Sequence, residues 1–373
     1  MKILMILSKE FTVDPRVYKE AKSLVEAGHE VTVLMWDRRG EYEKESVIEK
    51  IKVIRLRNTG FMKILPNDLF RNPFWWKVAY KKALKLYKND FQFDVVHCHD
   101  LDTLLPGVLL KKKLDIKLVY DAHEIFGEMI SMYVPKLVVK ISFFIEKQYL
   151  AFVDYIITVN NPLENYFRTI TDKPIIIIMN CTDLLNNEYI PPNTSIFTIS
   201  YMGVLDKSRM FPEIVDIIGK IEGVKFIIAG KKENIYEEVK KRCNMYKNVE
   251  FLGTIGLKEA IENTVNSNAV FCLFNPNYRM NLVGLPNKIF ESMVAGRPII
   301  VTKGLYYSKI VEEEKCGILT EYEKKDVKKA IITLRDDPKL CESLGRNGLN
   351  AAKTKYNWEK QKVKLLKLYE ELQ

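Results

Sequence analysis

The chain has 373 residues, 47% hydrophobic and 28% charged, with a formal net charge of +10. That is the make-up of an ordinary soluble globular protein, long enough for about two or three domains. Its six cysteines, Cys98, Cys181, Cys243, Cys272, Cys316 and Cys341, are scattered and form no C-x-x-C pair, so they read as buried reduced thiols rather than a disulfide framework, and no apolar run is long enough to cross a bilayer.

The first apolar run, Lys2–Leu7, reads as a strand; Ser8-Lys9-Glu10 follows at once, too soon for a signal peptide. With the reduced cysteines this gives the expectation of a cytoplasmic protein. Further strand-like runs follow at Glu30–Trp36, Val53–Leu56, Val95–His97, Leu118–Tyr120, Tyr155–Val159 and Ile175–Ile178, with helical patterns between them. A second set comprises Thr198–Met202, Lys225–Ala229, Val249–Leu252, Val270–Phe274, Ile299–Thr302 and Gly317–Thr320. Strand and helix alternating through short turns is the pattern of a parallel α/β sheet. Between the sets, 180–195 is rich in Asn, Pro and Thr and reads as a linker. The expectation is therefore two doubly wound domains, 1–180 and 196–355, facing across a cleft with ligands at the carboxyl ends of the strands. The apolar helix near 356–373 is expected to pack back on the first domain.

The charge is uneven. Between Lys50 and Asp90 eleven basic residues face only Asp68 and Asp90, a net +9, and the rest of the chain is close to neutral. Within this window 72–88 fits an amphipathic helix, with Lys77, Lys81, Lys85 and Lys88 on one face and Trp75, Trp76, Ala79, Tyr80, Ala83, Leu86 and Tyr87 on the other. Basic and aromatic residues together suit an anionic surface such as the inner face of the cell membrane. A core-facing apolar side with a solvated basic side explains the same pattern, and no recognition motif supports nucleic acid.

All four histidines, His29, His97, His99 and His123, lie in the first half. His29 sits in a helix-to-strand turn. His97 and His99 share a strand face and would need Asp100 and a further ligand to hold a metal; no such ligand is apparent, and no metal site is expected. His123 ends a strand, where a catalytic group belongs in this architecture, although a buried histidine bonded to Asp121 or Asp100 fits as well.

In the second half, Gly203 ends a strand, and Arg209 or Lys207 just beyond can reach a diphosphate. No G-x-G-x-x-G follows either first strand, which sets a dinucleotide-binding fold aside. Pro286 and Asn287 read as a helix start, with Asn287 suited to capping, and Ala295-Gly296-Arg297-Pro298 stops the helix. A helix N-terminus with Lys288 favours an anion, and Glu291, about one turn in, suits a ribose diol. Phosphate and ribose at that spacing describe a nucleoside diphosphate; a helix with Lys and Glu facing solvent is the plain alternative.

These positions resemble the retaining glycosyltransferases of family 4, with the GT-B fold. The resemblance runs through Asp14-Pro15-Arg16-Val17, Gly28-His29-Glu30-Val31, Val96-His97-Cys98-His99-Asp100, Tyr120-Asp121-Ala122-His123-Glu124, Gly203 to Arg209, Leu285 to Pro298 and Asn357-Trp358-Glu359. It implies that Arg209 and Lys288 hold the donor diphosphate, that Glu291 holds the ribose, and that His123 lies beside the reacting sugar. Gly203, Pro286 and Asn287 complete the donor side; Asp14, Arg16, His99 and Asp100 are acceptor-side candidates. The implied reaction moves a hexose-type sugar from a nucleotide-diphosphate donor to a glycan or lipid-linked acceptor, with retention and without metal or other cofactor. Val283 stands where many relatives carry a glutamate that contacts the donor sugar. An epimerase of the same architecture and a catalytically silent binding subunit are the alternatives.

Overall fold

The computed structural model describes every residue except Asp90, Met132 and Asn234, together with the side chain of Val13. The chain forms two compact units, unit 1 from Met1–Asn180 with Gln361–Gln373 and unit 2 from Cys181–Lys360.

Unit 1 carries eight strands: β1 (Lys2–Leu7), β2 (Glu30–Asp37), β3 (Glu45–Ile48), β4 (Ile51–Arg57), β5 (Val95–His99), β6 (Lys117–Ala122), β7 (Tyr155–Thr158) and β8 (Ile175–Ile177). Their order is β3-β4-β2-β1-β5-β6-β7-β8. All described neighbours run parallel except the antiparallel pair β3–β4. From Ile3 to Leu7 every side chain is buried, as a parallel strand covered on both faces requires. The order reverses at β1, which has β2 on one side and β5 on the other, so the carboxyl ends of β1 and β5 flank a crevice. β3 was not expected from the sequence. It is a four-residue edge strand with no fully buried side chain, so no apolar run announces it.

The helix Asp68–Asn89 buries Trp75, Ala79, Ala83 and Leu86 and packs Trp76, Tyr80 and Tyr87 against the same core, with Trp75 stacked on Trp36 at 5.3 Å. Its aromatic side therefore belongs to the interior, while Lys77, Lys81, Lys85 and Lys88 are exposed. Carboxylates from outside the basic window offset part of its charge: Arg55 pairs with Glu10, Arg57 with Asp37 and Lys82 with Glu45. Asp90 lies outside the described residues. The helix Trp358–Glu371 buries Leu365, Leu368 and Tyr369, and Lys362 pairs with Glu26 of unit 1.

Unit 2 carries β9 (Phe197–Met202), β10 (Val224–Ala229), β11 (Val249–Gly253), β12 (Ala269–Cys272), β13 (Ile299–Thr302) and β14 (Gly317–Thr320), all parallel in the order β11-β10-β9-β12-β13-β14. The reversal lies at β9, so its carboxyl end and that of β12 open onto the crevice where such sheets bind ligands. Residues 181–195 pack on this unit: the Tyr189 ring lies 4.5 Å from the Arg346 guanidinium, and the Thr194 hydroxyl donates to Asn268 Oδ1 at 2.8 Å.

Candidate active site

Unit 2 gathers four of the expected residues around the end of β9. Met202 closes the strand and Gly203 follows. The Lys288 ammonium donates to the Met202 carbonyl and lies 4.5 Å from the centre of the Tyr201 ring. A Cβ on residue 203 would stand 3.1 Å from Lys288 Nζ, so glycine makes room for that amine. Asp206 caps the short turn Lys207–Arg209 by accepting from the Ser208 N–H at 2.8 Å. The turn brings Arg209 Nη1 to the Tyr201 hydroxyl at 3.4 Å and sets the guanidinium 4.8 Å from the Phe274 ring. Tyr201 thus seats both cations, a part that the sequence reading did not assign to it. An aromatic residue two places before the strand-ending glycine was the available signal.

The helix bearing Lys288 spans Asn287–Ala295 and ends at Gly296 in the left-handed conformation, φ 64°. Its N-cap is Pro286 and no side chain caps it, so Asn287 is its first residue rather than its cap. A proline before the first turn fixes the entry without supplying a side-chain acceptor of its own. Glu291 lies one turn in, half-exposed, with Oε2 4.0 Å from Lys288 Nζ. Burial pulls the Lys288 ammonium below its ordinary pKa, with Glu291 working against that. An anion arriving here would meet a partly buried cation, where charge-assisted bonds count for more than at a free surface. Val283 ends the preceding short helix, Arg279–Val283, and its side chain offers no hydrogen bond to a sugar.

In unit 1 the remaining residues converge at the carboxyl ends of β5 and β6. Asp14 caps the helix Pro15–Glu26, accepting from the backbone N–H of Arg16 and Val17. Arg16 is buried and grips Asp121 with Nε and Nη2 at 3.1 and 2.8 Å, while Nη1 donates to the Ile178 carbonyl. Glu20, one turn on, lies 3.1 Å from Arg16 Nε. Asp121 also faces His123 Nε2 at 3.2 Å and His99 Nδ1 at 3.3 Å. His97 stacks on His99 at 4.4 Å and meets the Tyr369 hydroxyl through Nδ1 at 2.8 Å. Asp100 accepts from the His123 backbone N–H, and its carboxylate lies 3.7 Å from His123 Nδ1. Arg16 and His99 are 2% and 0% exposed, so they stand behind His123 and have no surface to offer a ligand. His123 retains 14% side-chain exposure.

Among the described residues, Glu20, His97, His99 and Asp121 are the one set of four whose ligand atoms lie within 4.8 Å of one another. Glu20 and Asp121 here replace the Asp100 considered from the sequence. The buried Asp121 carboxylate demands a positive charge, and the Arg16 guanidinium already supplies it. Burial pushes Glu20 up to about 8, with Asp121 adding to the rise and Arg16 opposing it. Asp121 is held well below its ordinary value: burial resists, but Arg16 and His123 prevail. Burial beside His97 drives His99 down to about 3, leaving it neutral. For His123 burial is outweighed by Asp100 and Asp121, which raise it to about 9, so it is an imidazolium at neutral pH.

A raised histidine stabilises the fold fully below its unfolded value of 6.5 and loses that contribution as pH climbs through about 9. Glu20 shifts the balance in the same direction on its way to about 8, so a variant is needed to isolate the histidine. The melting temperature of the wild type should fall between pH 6.5 and about 9, and His123→Gln should flatten part of that fall. Identical pH profiles for the two proteins would remove the ion pairing assigned to His123.

Two family models match the chain: Glycosyltransferase Family 4 over residues 15–184 and Glycosyl transferases group 1 over residues 196–337. An uncharacterised glycosyltransferase of Methanocaldococcus jannaschii is 24% identical over 340 residues, covering 83% of this chain and 82% of that protein. Among solved structures, the sucrose-phosphate synthase of Thermosynechococcus elongatus superposes with a TM-score of 0.78 at 18% identity, over 100% of this chain and 99% of that one. HepE of Anabaena in complex with UDP-glucose superposes with a TM-score of 0.73 at 15% identity over the whole of both chains.

Proposed function

From the premise that the chain is a glycosyltransferase of the GT-B type, we propose that it transfers a hexose-type sugar, with retention of configuration, from a nucleotide-diphosphate donor to a glycan or lipid-linked acceptor. The observation that carries this reading is the meeting of Lys288, Arg209 and Gly203 around Tyr201 at the end of β9, with Glu291 one turn along the Lys288 helix. That HepE binds UDP-glucose supports a nucleotide sugar as donor. Departure of a nucleoside diphosphate places negative charge on the leaving oxygens, and two fixed cations at a helix N-terminus would lower that barrier. Among the described residues, the one set of His and carboxylate atoms close enough for a metal lies in unit 1 beside Arg16, so charge stabilisation falls to Lys288 and Arg209 and none to a metal ion. His123, an imidazolium held between Asp100 and Asp121, would supply positive charge rather than act as a base.

Glu291→Ala tests the donor reading. The carboxylate would accept from two ribose hydroxyls, and each charge-assisted bond is worth roughly 1.5–3 kcal/mol. Affinity for the nucleoside diphosphate should fall by at least about tenfold while the melting temperature holds, because the side chain is half-exposed. Calorimetric titration checks this, and unchanged affinity in a folded variant would remove the ribose assignment.

We also propose peripheral attachment to an anionic membrane. The exposed Lys77, Lys81, Lys85 and Lys88 would supply the attraction, at roughly 1 kcal/mol each. With the tryptophans in the core, the apolar complement falls to the exposed Phe61, Phe70 and Phe74. Co-sedimentation with anionic vesicles should weaken as salt rises and should fall when the four lysines become glutamine. Equal sedimentation of wild type and variant would withdraw the attachment.

A further inference from the structure

On unit 1, a cavity of about 460 Å³ opens beyond the carboxyl ends of β2 and β4. It is lined by Arg38, Arg39, Gly40, Arg57, Asn58, Lys63 and Arg71: five cations and no carboxylate. Like charges gathered around one space repel each other, and an anion placed among them relieves the repulsion.

The surrounding structure fixes these cations. Asp37, buried at the end of β2, accepts from the backbone N–H of Gly40 at 2.7 Å and of Glu41 at 3.3 Å, which folds the 37–41 turn. The Arg38 guanidinium lies 4.2 Å from the Trp36 ring and pairs through Nε with Asp68 at 2.8 Å. Asn58 donates to the Arg38 carbonyl at 2.8 Å and accepts from Trp36 Nε1 at 2.8 Å, tying the turn to the end of β4. Arg57 faces Asp37 through Nε at 3.4 Å, and Arg71 donates twice to the Leu65 carbonyl. Asp37 and Asp68 thus hold Arg57 and Arg38 in place, and Asp68 also lies 3.4 Å from Arg71 Nη1. A guanidinium carries five N–H donors, more than these contacts use, and its fork matches phosphate oxygens in pairs. Arg39 and Lys63 complete the rim, and the Arg39 side chain is 82% exposed.

We propose that this cavity binds a phosphate or diphosphate group, as a second anion site separate from the donor residues of unit 2. The group arrives either on a soluble molecule or on a lipid headgroup, and the chemistry of capture is the same. The assignment rests on unit 1 alone and does not depend on the donor reading.

The test uses the full-length protein, saturated with a nucleoside diphosphate so that unit 2 is blocked, and inorganic pyrophosphate as the probe in a calorimetric titration. The wild type should bind one further pyrophosphate, more weakly as salt rises. Arg39→Gln combined with Lys63→Gln alters only exposed side chains; it should weaken that binding by at least about tenfold and leave the nucleotide affinity unchanged. Lys63→Glu should weaken it further. If the nucleotide itself fails to bind, the donor reading fails, yet the pyrophosphate titration still reports on unit 1. A second arm measures co-sedimentation with phosphatidylcholine vesicles carrying phosphatidic acid. Loss of sedimentation in the double variant, with displacement of the wild type by pyrophosphate, assigns the site to a lipid-borne phosphate. Equal sedimentation beside impaired pyrophosphate binding assigns it to a soluble one. Pyrophosphate binding of equal strength in wild type and both variants, or none beyond the nucleotide site, overturns the proposal.

Discussion

Lys288→Ala is expected to lower turnover by about 10²–10³-fold, and Arg209→Ala by a similar factor, each from loss of a fixed charge opposite the departing diphosphate. Lys288 is the sharper test. Its amine is placed by the Met202 carbonyl and the Tyr201 ring, and glycine at 203 is what lets it lie there. It is thus oriented before any ligand arrives, and an oriented charge costs no reorganisation during the reaction. Arg209 rests on the same tyrosine from the other side of the turn. Because both would act on one developing charge, the double variant should lose less than the product of the single losses. Measured kcat with a nucleotide-sugar panel decides the matter, and an unchanged kcat in either single variant would end the assignment of that residue. The wild type should keep its turnover in EDTA. Loss in EDTA restored by magnesium or manganese would sink the metal-free mechanism.

The second large effect is on stability. Arg16→Met should destabilise unit 1 by about 3–5 kcal/mol, because it removes the guanidinium paired with buried Asp121 and Glu20 and leaves His123 alone to balance Asp121. At about 2–4 °C per kcal/mol the drop in melting temperature would be plain in a thermal scan. Adding Asp121→Asn should restore part of the loss by removing the charge that Arg16 balanced, although Asp121 also faces His99 and His123. A melting temperature unaltered by Arg16→Met would mean that the network contributes nothing to the fold. The lysine-to-glutamine variants and Arg39→Gln with Lys63→Gln, which alter only exposed side chains, should leave the melting temperature alone.

Much of the fold was legible because its signal is local. Parallel strands read as apolar runs, and among the described residues thirteen of the fourteen strands declare themselves so; β3, short and at an edge, does not. The cluster at the end of β9 was legible for the same reason: Gly203 with Arg209 and Lys288 with Glu291 are close pairs, and only two short stretches had to be brought together. The histidine cluster was not. Arg16 meets Asp121 across 105 positions, and His97 meets Tyr369 across 272. An arginine's burial also leaves no mark on its neighbours in sequence. Helix amphipathicity misled in one respect, since tryptophans that suit a membrane interface suit a domain core equally well, and here Trp75 stacks on Trp36. The five-cation cavity was visible only as excess charge, because strand ends and loops from 38 to 71 must fold before they share one space.

The hydrogen bond between His97 and Tyr369 has a consequence for how the molecule is made. Unit 1 is interrupted: its last segment, Gln361–Gln373, is encoded after the whole of unit 2. On the ribosome, at roughly 5–20 residues per second, the first 180 residues emerge and must wait while unit 2 is translated. Unit 2, whose residues are continuous, has all its parts before then. Until residues 361–373 arrive, His97 lacks its Tyr369 partner, and the apolar surface that buries Leu365 and Leu368 in the finished protein stays open. The domain begun first is therefore the one finished last.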